Sequence, residues 1–206
     1  DQCKQVLAYW ENQLIPSSLA NGQITLQLPK EANTKARSHV RVFADNGVQR
    51  YNDVLIPLEN GKVITSAAAL KREDLRNTVM YFVMVDRFVD GEPGNNRPTP
   101  DSTIHPKANN LGGDLQGITQ KIKDGYFEKL GINTIWISPI TTNAEGAWGL
   151  WNKGVTSTFS AYHGYWPTAL RSIDNRFGNK AAMDELLKTA HANNMNVILD
   201  YVAHHV

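Results

Sequence analysis

Cysteine is almost absent: Cys3 is the only one in 206 residues. A lone thiol excludes an internal disulfide and any cysteine metal cluster. It reads as an ordinary free thiol ahead of a lipidation remnant, and it leaves the redox compartment open. An excess of one charge is lacking too. Lys and Arg total 21 against 20 Asp and Glu, a formal net charge of +1, so nothing suggests the basic footprint of a nucleic-acid binder. Long hydrophobic runs are missing: VMYFVMV, residues 79–85, falls far short of the roughly 20 residues that cross a bilayer. No secretory leader is visible, although a processed start would look the same. What remains is 41% hydrophobic and 20% charged, as in ordinary globular proteins, and the length suits one or two domains.

The first part of the chain reads as short strands. Ile24, Leu26 and Leu28 alternate with polar residues, as do Val40 and Val42, which is the period of a half-buried strand. Asn21-Gly22, Asn46-Gly47 and Asn60-Gly61 punctuate the runs as turns. The simplest expectation is a small antiparallel β-sandwich over residues 1–72. Tyr9 and Trp10 read as core before they read as a ligand platform. A charged stretch, AAALKREDLR over residues 67–76, marks a linker or short helix.

From residue 73 onwards the pattern alternates strand, long loop and helix. Strands are expected over 79–85, 134–140 and 196–202. Helices are expected over 117–130, closed by Gly131, and over 179–194, with Asn179 as N-cap. This order implies a parallel sheet with right-handed crossovers. The strand-to-helix connections, about 86–116 and 141–178, are long, whereas the helix-to-strand connections are short. That asymmetry fits the first three strands of a (β/α)₈ barrel, whose site is built from the loops after the strands. The fold class is therefore α/β: a partial TIM barrel behind a small β domain. No G-x-G-x-x-G follows the first strand, which weighs against a dinucleotide fold.

Chemistry gathers in the two long loops and after the third strand. Asp90, Glu92, Asn95, Asn96 and Asp114, with the carbonyl of Gly112, offer the hard oxygens that calcium wants. By spacing alone, a solvated turn is the simpler reading. The second loop carries Trp148, Trp151, Phe159, Tyr162, Tyr165 and Trp166. Aromatic faces suit the C–H faces of sugar rings, with His163 and Asp174 as polar neighbours. A folded subdomain would account for most of these aromatics, though not for YHGYW as a whole. Asp200 sits two residues before the expected strand end. His204 and His205, read as strand neighbours, point to opposite faces, which places them poorly for sharing one ion and favours separate hydrogen-bonding roles.

Five segments in order, YFVMVDRFVDGEPGNN, GGDLQGI, LGINTIWISPI, AYHGYW and LDYVAHHV, resemble the α-amylase family of glycoside hydrolases, especially its neopullulanase-like and cyclodextrin glucanotransferase-like members. Together they span roughly the last 130 residues. The resemblance implies action on α-glucans such as starch, maltooligosaccharides and cyclodextrins by a retaining route. In it Asp200 organises the floor, His205 bonds a sugar hydroxymethyl and Tyr165 stacks under the ring, with His163 and Trp166 beside them. It turns the first loop into a structural calcium site on Asp90, Glu92, Asn95, Asn96, Gly112 and Asp114, although Glu92 stands where asparagine is common. His204 replaces the usual asparagine ligand of a second calcium, which puts that ion in doubt. The retaining route needs two carboxylates about 5–5.5 Å apart, which the family draws from strands four, five and seven. None of these falls within residues 1–206, so no catalytic residue is assigned here and the 206-residue segment, read as the N-terminal part of such an enzyme, is expected to be inactive alone. The expected partner is an α-glucan, with oligomeric state open. The expected location is secreted, periplasmic or cell-surface, with the cytoplasm left open. Competing readings are a catalytically inactive α-amylase-like subunit that binds glucans or proteins, and a stand-alone glucan-binding fragment. Retention of Tyr165, Asp200 and His205 weighs against decay of the sugar site.

Overall fold

In the computed structural model residues 3–205 are described, and the chain divides into two compact units, Asp1–Asn77 and Thr78–Val206. In the first unit the strands are β1 (Gln5–Trp10), β2 (Gln13–Ile15), β3 (Ser17–Ala20), β4 (Gln23–Leu26), β5 (Arg37–Asp45), β6 (Val54–Glu59) and β7 (Lys62–Val63). Five of them form one antiparallel sheet in the order β2-β1-β5-β6-β7, and β3 and β4 form a separate hairpin. Alternation sends Ala8, Trp10, Val40 and Val42 to the buried face, where they meet Ile15, Ala32 and Leu58. Asn21-Gly22 and Asn60-Gly61 make tight two-residue hairpins with positive φ at both positions, which only small or amide-bearing residues adopt cheaply. A third such turn, Glu11-Asn12, joins β1 to β2 without any glycine. Asn46-Gly47 lies instead in the longer connection between β5 and β6.

The unit boundary falls at residue 77, five residues past the expected boundary at 72 and just after the charged stretch. The charged segment folds back as two 3₁₀ turns, Ala67–Ala69 and Leu75–Asn77. Arg37 fastens it: its guanidinium donates to the Ala69 carbonyl (3.0 Å) and lies 3.8 Å from Asp74.

The second unit runs β8 (Met80–Val83), α1 (Val85–Phe88), α2 (Leu115–Lys123), α3 (Tyr126–Lys129), β9 (Thr134–Ile137), β10 (Thr141–Asn143), β11 (Trp148–Trp151), β12 (Ser157–Phe159), β13 (Pro167–Ile173), α4 (Lys180–Ala192) and β14 (Asn196–Leu199). β8, β9 and β14 form a parallel sheet in the order β14-β9-β8. Val83, Ile135 and Ile137 bury one face of it with Leu115, Ile118, Phe127, Met183 and Leu186 from the helices. Three expectations change. The single helix over 117–130 is two helices, because Gly125 turns left-handed (φ 69°) after the Asp124 cap. The strands are shorter, so Asp200 follows β14 rather than lying inside it. The second long loop has regular structure of its own, with β10 paired to β13 and β11 to β12. Asn179 caps α4 as expected, its side-chain oxygen accepting from Ala182 N–H.

Candidate active site

All three parallel strands deliver their C-terminal ends to one side. Val85 N–H donates to Ser138 Oγ (3.0 Å), Ser138 N–H to the Val83 carbonyl and Asp200 N–H to the Ile137 carbonyl. Asp200 is therefore held at the end of β9, beside the loops that follow β8 and β9.

Tyr165 donates its hydroxyl to Asp200 Oδ2 at 2.6 Å. The Tyr165 carbonyl lies 2.9 Å from His205 Nε2. Burial, then the Asp200 carboxylate, pushes the Tyr165 phenol up to about 12, so it stays a donor. His163 stacks near Tyr165 (5.9 Å), meets the edge of Trp166 (4.5 Å) and accepts Tyr165 N–H on Nδ1. Burial, then the positive charge of Arg87, holds the His163 imidazole below its usual range, which suits an acceptor nitrogen. The structure thus brings Tyr165, Asp200, His205, His163 and Trp166 into one cluster. His204 and His205 depart from expectation. The chain is no longer a strand there, and their rings touch, with His205 Nδ1 2.9 Å from His204 Nε2.

A buried frame supports the cluster. Asp174 and Arg176 form a two-pronged ion pair (2.6 and 2.8 Å), and both are nearly inaccessible. Burial pushes the Asp174 carboxyl up, but the Arg176 guanidinium and the amides of Asn143 and Arg176 prevail and hold it low. Asp174 also accepts Asn143 N–H, and Asn143 Oδ1 accepts Trp166 N–H. In the first loop Asp86 is buried and accepts from Leu111 N–H and Asn110 Nδ2. Burial nonetheless raises its carboxyl above the usual range. Neighbouring Arg87 lies 3.3 Å from Asp86 and 3.7 Å from the ring centroid of Tyr162, a cation–π contact that ties the two loops together. Sequence reasoning missed Asp86, Arg87, Asn143 and Arg176. The available signals were an Asp-Arg pair directly after the first strand and the Asp-x-Arg spacing of residues 174–176.

The candidate cation loop is assembled around Asp114. Its carboxylate accepts from Gly91, Glu92 and Gly117 N–H and from Asn95 Nδ2, which caps α2 and pins the loop to it. Asn96 donates to Asp90 (2.6 Å) and its side-chain oxygen packs against Gly112. Asn95 Oδ1 is buried with no hydrogen-bond partner among the described residues, an acceptor that a cation would satisfy. Asn95 Oδ1 therefore suits a hard ion as it stands, whereas Asp90 would join only by giving up the Asn96 amide. Asp114 is saturated and would join only by giving up the Asn95 amide. The Glu92 carboxylate turns to its own Gly94 N–H. No group of three or more His, Cys, Asp or Glu is gathered to hold a metal among the described residues, so amide and carbonyl oxygens would carry much of the ligation.

The catalytic-domain family of α-amylases matches residues 82–206. The chain belongs to that family. It is 38% identical over 141 residues to a cyclomaltodextrin glucanotransferase of Bacillus sp. (strain 6.6.3), which covers 67% of this chain and 19% of that protein. The corresponding enzyme of Niallia circulans is 37% identical over the same length, with the same coverage. The chain thus spans about a fifth of the length of the curated relatives it matches. Among solved structures, a cyclomaltodextrin glucanotransferase with a three-domain ABC distribution is 36% identical, with a TM-score of 0.50 over 60% of this chain and 25% of that one. The γ-cyclodextrin glucanotransferase of an alkalophilic Bacillus clarkii is 34% identical, with a TM-score of 0.50 over 61% and 18%. These likenesses identify the three-stranded parallel unit as part of a TIM-barrel-type domain.

Proposed function

We propose that the protein acts on starch-type α-glucans as an α-amylase-type glycosidase by the retaining route. The observation that carries this reading is the Tyr165–Asp200–His205 cluster at the C-terminal ends of parallel strands. In this reading the Tyr165 ring lies under one sugar, fixed by its bond to Asp200. His205 hydrogen-bonds the hydroxymethyl of that sugar in place of its contact with His204, and His163 and Trp166 wall the ring in. Such contacts raise the rate only as far as they tighten in the transition state. The nucleophile and acid of the retaining route are assigned to barrel strands outside residues 1–206. Hydrolysis and transfer to another glucan both begin with this first displacement.

Kinetics of the enzyme containing this sequence test the reading. With a short maltooligosaccharide as substrate, Tyr165→Ala should raise KM, and His205→Ala should lower kcat as well as kcat/KM. Unchanged constants in both variants would overturn the pocket, and a parent protein that binds maltooligosaccharide without turnover would favour an inactive binding subunit. Calcium is proposed as a structural ion held by Asp90, Asn95, Asn96 and the Gly112 carbonyl. Its removal by chelator should lower the melting temperature, and Asn95→Ala should abolish that response. A melting temperature indifferent to calcium would remove the ion from the assignment.

A further inference from the structure

The outer face of the five-stranded sheet in the first unit carries a pocket that the glucan reading does not use. Its volume is about 500 Å³, within the size range of small-ligand sites. The floor follows from strand pairing. Leu7 lies opposite Phe43 and Tyr9 opposite Arg41 across β1 and β5, and alternation turns all four away from the core of Ala8, Trp10, Val40 and Val42. Tyr9 and Phe43 meet edge to face at 5.9 Å. Asn12, in the tight β1–β2 turn, brings an amide to the rim.

Three arginines from separate parts of the chain line this pocket: Arg41 from β5, Arg50 from the β5–β6 connection and Arg76 from the 3₁₀ turn Leu75–Asn77. No carboxylate lines the pocket. Asp53 reaches Arg41 at 3.4 Å, but among the described residues neither Arg50 nor Arg76 has a side-chain partner. Three like charges lining one pocket favour an anion there, and the guanidinium fork matches the oxygens of a phosphate. The aromatic floor accepts the apolar face of a ring, and the amide accepts or donates to hydroxyls. We propose that this pocket binds a phosphorylated sugar.

The ligand has two possible sources, a free hexose phosphate or a phosphate ester carried on a glucan. Titration calorimetry on the 206-residue protein separates them, with glucose 6-phosphate, phosphorylated maltodextrin, glucose and inorganic phosphate as probes. Glucose 6-phosphate should bind more tightly than either glucose or phosphate, and high salt should weaken it. The Arg50→Ala/Arg76→Ala double variant should weaken it by about tenfold or more, and Arg50→Lys/Arg76→Lys by less, because charge remains while the fork is lost. Tyr9→Ala should reduce glucose 6-phosphate binding while sparing inorganic phosphate. Tighter binding of phosphorylated maltodextrin would assign the ester on a glucan, and its failure to bind would assign the free sugar phosphate. Absence of glucose 6-phosphate binding, equality with inorganic phosphate, or full binding by a double variant with unchanged circular dichroism would overturn the proposal. None of these readings depends on glycosidase activity.

Discussion

Tyr165 is the residue whose ionisation reports most directly on the site. Its phenol is raised from 10.0 to about 12 by burial and by the Asp200 carboxylate, so the folded chain holds that proton more tightly than the unfolded chain. The resulting stabilisation is complete below pH 10 and is lost as pH rises from 10 towards 12. Of seven tyrosines, Tyr165 should therefore ionise late in an ultraviolet titration of folded protein, alongside Tyr81, whose phenol is raised by its hydrogen bond to Tyr126 and by burial. Tyr165→Phe should remove one tyrosine's worth of the late absorbance and Asp200→Asn should move that share down; a late amplitude unchanged by Tyr165→Phe would refute the assignment. Arg176 matters for a different reason. Its guanidinium neutralises the buried Asp174, which in turn holds Asn143 and through it Trp166. Arg176→Ala leaves an unpaired buried charge, and such losses cost about 3–5 kcal/mol. Urea unfolding should show that loss, whereas a change below about 1 kcal/mol would mean that the pair behaves like an exposed one.

At the scale of elements, the first long loop and α2 are joined by backbone contact that only glycine permits. A methyl on Gly117 would overlap the Val89 carbonyl, and one on Gly91 would overlap the Gly117 amide. Both obstacles are main chain, so neither can move aside as a flexible side chain would. Gly117→Ala should cost roughly 1–3 kcal/mol or more by overpacking, and it should loosen the Asp114 cap. Gly131 provides the comparison. It sits at φ 71° with open space around it, so Gly131→Ala should cost only the left-handed backbone penalty of about 1–2 kcal/mol. Thermal unfolding of the two variants checks the ranking. If Gly117→Ala proves the milder change, the loop is not clamped as described.

For the molecule as a whole, the two faces of the parallel sheet differ sharply. One is sealed by α2 and α4, while the other presents Phe82, Trp136 and Ile198 in a single cross-strand row with exposures of about 40%. Among the described residues β8 and β14 are the sheet's edge strands, and an apolar row running between two edges invites association. The 206-residue protein should bind a hydrophobic dye and self-associate as its concentration rises, and Ile198→Lys should reduce both. Sedimentation as a dye-free monomer over a wide concentration range would contradict this account of the face.

The sequence by itself determined the order of strands and helices in the second unit, the turns at Asn21-Gly22 and Asn60-Gly61, the Asn179 cap and the resemblance to α-amylases. Each of these is written in neighbouring residues, through periodicity, backbone preference or a contiguous motif. Only the tertiary structure decided that Asp86 is buried, that Arg87 lies over Tyr162, that Asp174 and Arg176 form an inaccessible pair, and that His204 and His205 touch. Where a side chain points in an irregular segment, and whether it is buried, depends on segments tens of residues away. No period runs through the loops after β8, β9 and β14 that would fix either one in advance.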